Sequence, residues 1–252
     1  MCYYNGIKVT KLEYIELMQM EKDIKKFITS DMTLVNGFNY GDYPIIKPLD
    51  GAKDFEIKLA HWEFLPEFVK KAEDLGEFRK KYITMNAKGE DLFKSRMYAD
   101  AARNRRCLVL SSGFYEWREF KPEGAKKPQK YPHYINLPNN EYFFMAGIWN
   151  PWIDQGVEAT GELLDTFAIV TTGANSLMAQ VHNTKMRMPT ILPEDLAIEW
   201  LQPDLSDERI IQLAMYQYPA SEMAAYAINK DFRVMEDPTE PFEYMELPAL
   251  VN

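Results

Sequence analysis

The sequence predicts an α+β fold with a strand-rich centre and peripheral helices, and three observations carry that expectation. Runs rich in Val, Ile, Phe, Tyr and Trp occupy 106–120, 131–137, 141–149 and 165–172, and such side chains favour extended chain. Segments with apolar residues at helical spacing lie on either side of that block. No repeat, low-complexity tract or linker interrupts the 252 residues, so a single domain over 1–252 is expected.

In chain order, Thr10-Lys-Leu-Glu13 reads as a capping box that opens a helix to about Ile28, with Leu17, Met20, Ile24 and Phe27 on one face. A second helix is expected over 91–105, where Leu92, Phe93, Met97 and Ala101 recur among charges. The strand runs follow. Lys121-Pro-Glu-Gly-Ala-Lys-Lys-Pro-Gln-Lys130 is too polar and too rich in breakers to be buried, so it reads as an exposed loop between strands. Pro138-Asn-Asn140 reads as the turn of a hairpin joining 131–137 to 141–149. Pro193-Glu-Asp begins a short helix through Leu201, and 204–216 is another.

Composition narrows the function. A hydrophobic content of 46% can bury a substantial core, and no apolar run reaches the roughly 18 residues of a bilayer span. No cleavable leader is apparent at the start, and two cysteines with three histidines make neither a disulfide framework nor a convincing zinc site. A cytoplasmic protein without metal, cofactor or membrane contact is expected. The net charge of −9 argues against a nonspecific nucleic-acid coat. Yet residues 79–106 hold nine basic side chains against three acidic ones, whereas 193–252 hold thirteen acids against three bases. A local anionic ligand is compatible with that asymmetry.

Position makes Cys2 unusual, because removal of Met1 would leave a cysteine with a free α-amino group. The resulting 1,2-aminothiol can condense with an aldehyde to a Schiff base, after which the adjacent thiol closes a thiazolidine ring. Ring closure is intramolecular, so the sulfur acts at high effective concentration. An α-amine with a pKa of about 7.7–8.0 is already partly neutral near pH 7, unlike a lysine near 10.4.

Three further segments stand in a telling order: Met85-Asn86-Ala87-Lys88-Gly89-Glu90 with Lys94-Ser-Arg96 and Arg105-Arg106-Cys107-Leu-Val; Gly113-Phe-Tyr-Glu116-Trp117; and Ala179-Gln-Val-His182-Asn-Thr-Lys-Met-Arg187-Met-Pro189. With Cys2 they resemble the SRAP family, SOS-response-associated peptidase-like proteins. Its pattern is Met-Cys, Asn-Ala-Arg-x-Glu, Arg-Arg-Cys-Leu-x-Pro, Gly-Phe-x-Glu-Trp and His-x-Arg-Met-Pro. Trp62-Glu-Phe-Leu-Pro66-Glu-Phe68 is similar to its Trp-Gly-x-x-Pro-x-Trp segment, and Gly37-Phe-Asn39 to its early Asn-containing turn. The resemblance reaches about Asn229 and leaves an acidic extension after it. Departures are Tyr3 and Tyr4 in place of a glycine and an arginine, Lys88 and Leu110 in place of an arginine and a proline, Glu63 and Phe68 in the second segment, and three extra residues between His182 and Arg187.

The resemblance implies a barrel-like strand centre and covalent capture of abasic sites in single-stranded DNA, as part of DNA-damage handling at the nucleoid. Release of Met1 and lyase-like chemistry at the sugar accompany it. By the same resemblance Cys2 is the nucleophile, Glu116 moves protons, His182 polarises the sugar oxygen and Asn86 holds the reacting atoms together. Lys88, Arg96 and Arg187 would grip phosphates, Trp62 and Phe68 would stack on bases, and Asn39 would contact the strand. Two other readings stay open: an amidase or peptidase with Cys2 as nucleophile, and a single-stranded-DNA binder without chemistry. Cys107 reads as buried and structural, and His61 and His133 as packing or surface residues.

Overall fold

The computed structural model describes residues 2–8, 13–156, 161 and 163–251, with 30 and 31 described by their backbone alone. The chain begins with β1 (Tyr4–Gly6), β2 (Tyr14–Leu17), β3 (Met20–Asp23), β4 (Val35–Asn36), β5 (Asp42–Leu49) and β6 (Asp54–Trp62). Then come α1 (Leu75–Lys81), β7 (Asn86–Lys88), α2 (Ala99–Asn104), β8 (Arg106–Ser111), β9 (Gly113–Phe120) and β10 (Gln129–Asn136). β11 (Phe143–Ile153), β12 (Leu163–Gly173), α3 (Ser176–Val181), β13 (Arg187–Pro189), β14 (Ile191–Leu192), α4 (Glu194–Trp200), α5 (Asp207–Ala214) and β15 (Ala224–Ala227) complete it.

Five strands close on themselves. β12 pairs in parallel with β6, and the antiparallel pairs β6–β5, β5–β8, β8–β11 and β11–β12 complete the ring. The expected barrel-like centre is therefore present, and closure removes the open edges such a sheet would otherwise expose. A second, antiparallel sheet runs β15-β10-β9-β1-β4. The run 106–120 feeds both sheets, passing from β8 in the barrel to β9 in the second sheet at Ser112. The crossing is tight enough to need glycine: a Cβ on Gly113 would lie 2.2 Å from the Tyr134 ring.

Three expectations need correction. The helix to Ile28 is instead the β2–β3 hairpin, and Thr10 lies outside the described residues. Burial alternates along β2, with Ile15 and Leu17 inside, and Met18 and Gln19 both adopt positive φ (57° and 59°). A two-residue turn of that hand matches the twist of a hairpin, so the helical spacing of Leu17, Met20 and Ile24 was coincidental. The second helix shortens to α2, preceded by a 3-10 turn at Gly89–Asp91 and by turns up to Tyr98. Pro138-Asn-Asn140 does reverse the chain, but β10 and β11 belong to different sheets and form no hairpin. The true hairpin is β9–β10, joined by the polar loop that begins at Lys121. No helix among the described residues is long and apolar enough to cross a membrane.

Candidate active site

β1 lies antiparallel to β9, with Tyr4 opposite Tyr115 and Asn5 opposite Phe114. That register carries the start of the chain toward Glu116. Buried polar contacts fix it: Asn5 Nδ2 donates to the Tyr43 hydroxyl at 3.0 Å and to the Leu110 carbonyl at 3.2 Å, while Ser111 Oγ donates to Asn5 Oδ1 at 2.6 Å. Cys2 is fully buried, and Asn86 Nδ2 donates to its carbonyl at 2.9 Å. Asn86 is placed by β7, which runs parallel to β12 with Asn86 opposite Ile169. Burial first, and then the Glu116 charge, raise the Cys2 thiol well above its ordinary value. The sulfur is therefore a thiol at neutral pH and needs a base to act as a nucleophile. Residue 1 lies outside the described residues.

Glu116 and His182 face each other, with Oε2 and Nε2 3.6 Å apart and each residue at most 6% exposed. His182 Nδ1 is 2.8 Å from the Arg187 carbonyl. A carbonyl only accepts, so Nδ1 carries the hydrogen and the Nε2 lone pair is turned toward Glu116. Burial pushes the Glu116 carboxyl up to about 7 and the His182 imidazole down to about 4. The pair thus favours the uncharged form of both groups. The three extra residues after His182 are absorbed in a turn: the N–H groups of Lys185 and Met186 both return to the His182 carbonyl, and Met186 takes φ 54° before β13. Asn183 then locks that turn to β9 through two bonds with the Glu119 backbone, at 2.8 and 3.0 Å.

The residues expected to contact DNA divide. Asn39, Phe68, Lys88 and Arg96 are exposed, Phe68 by 62%. Phe68 and Arg96 line one cleft, with Lys70 and Arg105 beside them. Trp62 and Arg187 are corrections. Trp62 is 1% exposed, lies parallel to Phe167 at 6.1 Å, and donates its indole N–H to the Met85 carbonyl at 3.1 Å. No face is left for a base. Arg187 forms a bidentate pair with Glu90 at 2.5 and 2.9 Å and donates to the Thr171 carbonyl at 2.7 Å, which uses its fork inside the protein. Trp62→Ala should accordingly lower stability by about 3–5 kcal/mol, read from urea unfolding midpoints, as expected for an emptied core site. An unchanged midpoint would contradict this placement.

The basic stretch is also less available than its charge implies. Arg79, Lys80, Lys94, Arg103 and Arg105 are in ion pairs, and Arg106 is buried against the Trp200 and Ala102 carbonyls. Only the side chains of Lys81, Lys88 and Arg96 from that stretch make no hydrogen bond or ion pair among the described residues. Cys107 is fully buried, as expected. His133 is buried on the Tyr131 carbonyl, and His61 sits between Asp42 and Glu63. Among the described residues, no cluster of three or more His, Cys, Asp or Glu side chains could hold a metal ion.

Sequence reasoning missed two features beside Cys2. Tyr4 packs edge-on to Trp117 with its ring centroid 5.1 Å away, and the Arg233 guanidinium lies 5.2 Å over Tyr4. Tyr3 packs on Phe38 with centroids 4.9 Å apart. Neither contact follows from local spacing, although Phe38 stands inside the Gly37-Phe-Asn39 segment that drew notice for its asparagine.

Known proteins resemble this chain in sequence and in fold. The family pattern described as SOS response associated peptidase (SRAP) matches residues 5–234. "Abasic site processing protein YoqW" of Bacillus subtilis is 31% identical over 180 residues, covering 71% of this chain and 72% of the relative. "Abasic site processing protein YobE" of the same organism is 30% identical over 180 residues, covering 71% and 74%. A crystal structure of a protein from Bacteroides thetaiotaomicron superposes with a TM-score of 0.76 at 32% identity, covering 95% of this chain and 97% of that one.

Proposed function

The chain belongs to the SRAP family, and from that premise we propose that it captures abasic sites in single-stranded DNA through Cys2 once Met1 is removed. The observation that carries this reading is the convergence of Cys2, Asn86, Glu116 and His182, contributed by segments up to 180 positions apart. A merely structural glutamate would gain by facing water, whereas this one is enclosed beside an imidazole.

The chemistry follows from the groups present. In its ring-opened form an abasic sugar carries an aldehyde at C1′. The Cys2 amine adds to that carbon, and its nitrogen loses a proton while the carbonyl oxygen gains one. Asn86 fixes the Cys2 carbonyl, so amine and thiol are held in one orientation. The protonated form of Glu116 assists departure of the hydroxyl as water, leaving a Schiff base. Glu116, now a carboxylate, takes and keeps the thiol proton as sulfur bonds to the carbon of the protonated Schiff base, whose C=N electron pair moves onto nitrogen. The product is a thiazolidine, and one water has left overall. His182 presents Nε2 to the same proton and to the sugar oxygen. Lys88 and Arg96 offer cations unpaired among the described residues for phosphates, Phe68 offers a ring, and Asn39 offers an exposed amide.

Intact-mass analysis tests the reading. The purified protein should lack one methionine, and addition of a single-stranded oligonucleotide with one abasic site should raise its mass by the oligonucleotide less one water. A processed protein that gains no mass refutes the proposal, and one that instead turns over amide substrates favours the N-terminal-cysteine hydrolase.

A further inference from the structure

We propose that the Tyr3–Phe38 ring pair is the stacking site for the nucleobase next to the abasic sugar, and that it makes the protein prefer lesions flanked by purines. The inference deepens the capture reading and rests on it for the position of the sugar. Residue 3 is one peptide bond from Cys2, and a neighbouring base is one phosphodiester from the captured sugar. Two such short tethers make the nearest accessible ring the first surface that base meets.

The other aromatic rings near Cys2 are already engaged. Tyr4 has Trp117 against it at 5.1 Å and Phe232 at 6.3 Å, with the Arg233 guanidinium over its face. Trp62 is enclosed in the barrel. Phe38, by contrast, is 41% exposed, and the half-buried Tyr3 supports it from one side.

The turn that carries Phe38 is held at several points. Gly37 N–H donates to the Tyr3 carbonyl at 2.9 Å, Phe38 N–H to Asn36 Oδ1 at 3.1 Å, and Tyr40 N–H to the Gly37 carbonyl at 3.0 Å. A Cβ at position 37 would come within 2.8 Å of Met85 Sδ and 3.3 Å of the Trp62 ring, so the turn sits close against the barrel. Tyr40 adopts φ 52°, and the Arg79 guanidinium lies 3.7 Å over its ring while itself forked onto Glu63. A large apolar ring is therefore displayed to solvent from a stiff support, which reduces the ordering entropy that stacking must overcome. Asn39, exposed on the same turn, supplies an amide for the edge or backbone of the stacked nucleotide.

The test measures equilibrium binding by fluorescence anisotropy, with single-stranded oligonucleotides carrying a tetrahydrofuran abasic analogue. The analogue has no aldehyde, so stacking is read without capture, while the mass experiment reads capture alone. The lesion is flanked by adenines, by thymines or by base-free spacers. Wild type should bind the three in that order of strength. Phe38→Ala should weaken binding to the adenine-flanked DNA about tenfold, the scale of one base–aromatic stack, and leave the spacer-flanked DNA unchanged. Phe38→Trp should restore the order. Equal weakening on all three DNAs would mean that Phe38 only shapes the turn, and wild-type binding indifferent to the flanking base would also overturn the proposal.

Discussion

Cys2→Ala, with its amino terminus exposed, should form no heat-stable adduct with abasic DNA, a loss on the order of a hundredfold or more in yield. The amine is retained and still condenses with the aldehyde, so cyanoborohydride should trap a Schiff base in the variant. What disappears is ring closure, where intramolecular sulfur acts at an effective concentration far above any free thiol. The side chain is small and its Sγ makes one weak hydrogen bond among the described residues, to the Tyr4 carbonyl at 3.6 Å, so folding should survive with a stability change of about 1 kcal/mol. Denaturing electrophoresis after heating, with and without the reductant, separates the two products. A stable adduct formed equally by this variant would end the thiazolidine account.

Glu116→Gln should slow capture by roughly a hundredfold, within the usual contribution of a positioned acid–base group, and should remove the inflection near pH 7 from the rate profile. The same substitution should raise stability. Burial lifts the Glu116 carboxyl from 4.5 to about 7, so the folded protein binds a proton more readily than the unfolded chain. Its stabilising contribution is complete below about pH 4.5 and is lost as pH rises through 7. The loss amounts to roughly 3 kcal/mol. An amide of the same shape never ionises, so the variant should unfold at higher urea than wild type at pH 8 and at about the same urea at pH 4. His182 slopes the other way: its imidazole is pushed from 6.5 down to about 4, so its contribution is full above 6.5 and lost as pH falls through 4. Around Glu116 stand Cys2, Tyr3 and His182, with His133 opposite it in the β9–β10 ladder. A variant that is slower but no more stable at pH 8 would show that the carboxyl is not held in a costly ionisation.

The four residues proposed to carry the chemistry could be picked out because each stands in a short segment that resembles a motif of the family. Glu116 between aromatics reads as an enclosed carboxylate, and the structure encloses it. What was not legible depended on partners far away in the chain. Arg187 looks free in sequence, yet its fork is taken by Glu90, 97 positions earlier. Trp62 looks like a stacking ring until Phe167 and Met85 surround it. Of the nine basic residues in 79–106, most meet acids or carbonyls that no local window contains. The 10–28 segment failed for a different reason: Leu17, Met20 and Ile24 satisfy a helical period, while the turn at Met18-Gln19 uses two residues that do not ordinarily favour positive φ. The strand-rich centre was evident from composition, but which strands pair across it was not, as the loop after β10 demonstrates.

The pairing of β1 with β9 also has a consequence during synthesis. Tyr4 cannot meet Tyr115 until the ribosome has released more than a hundred further residues, which takes on the order of ten seconds. Through that interval the nascent start of the chain is open to an aminopeptidase. Once the strands zip together, the bond between the first two residues ends on a cysteine with no solvent exposure. On the capture reading, removal of Met1 therefore belongs to translation, or to groups already beside Cys2.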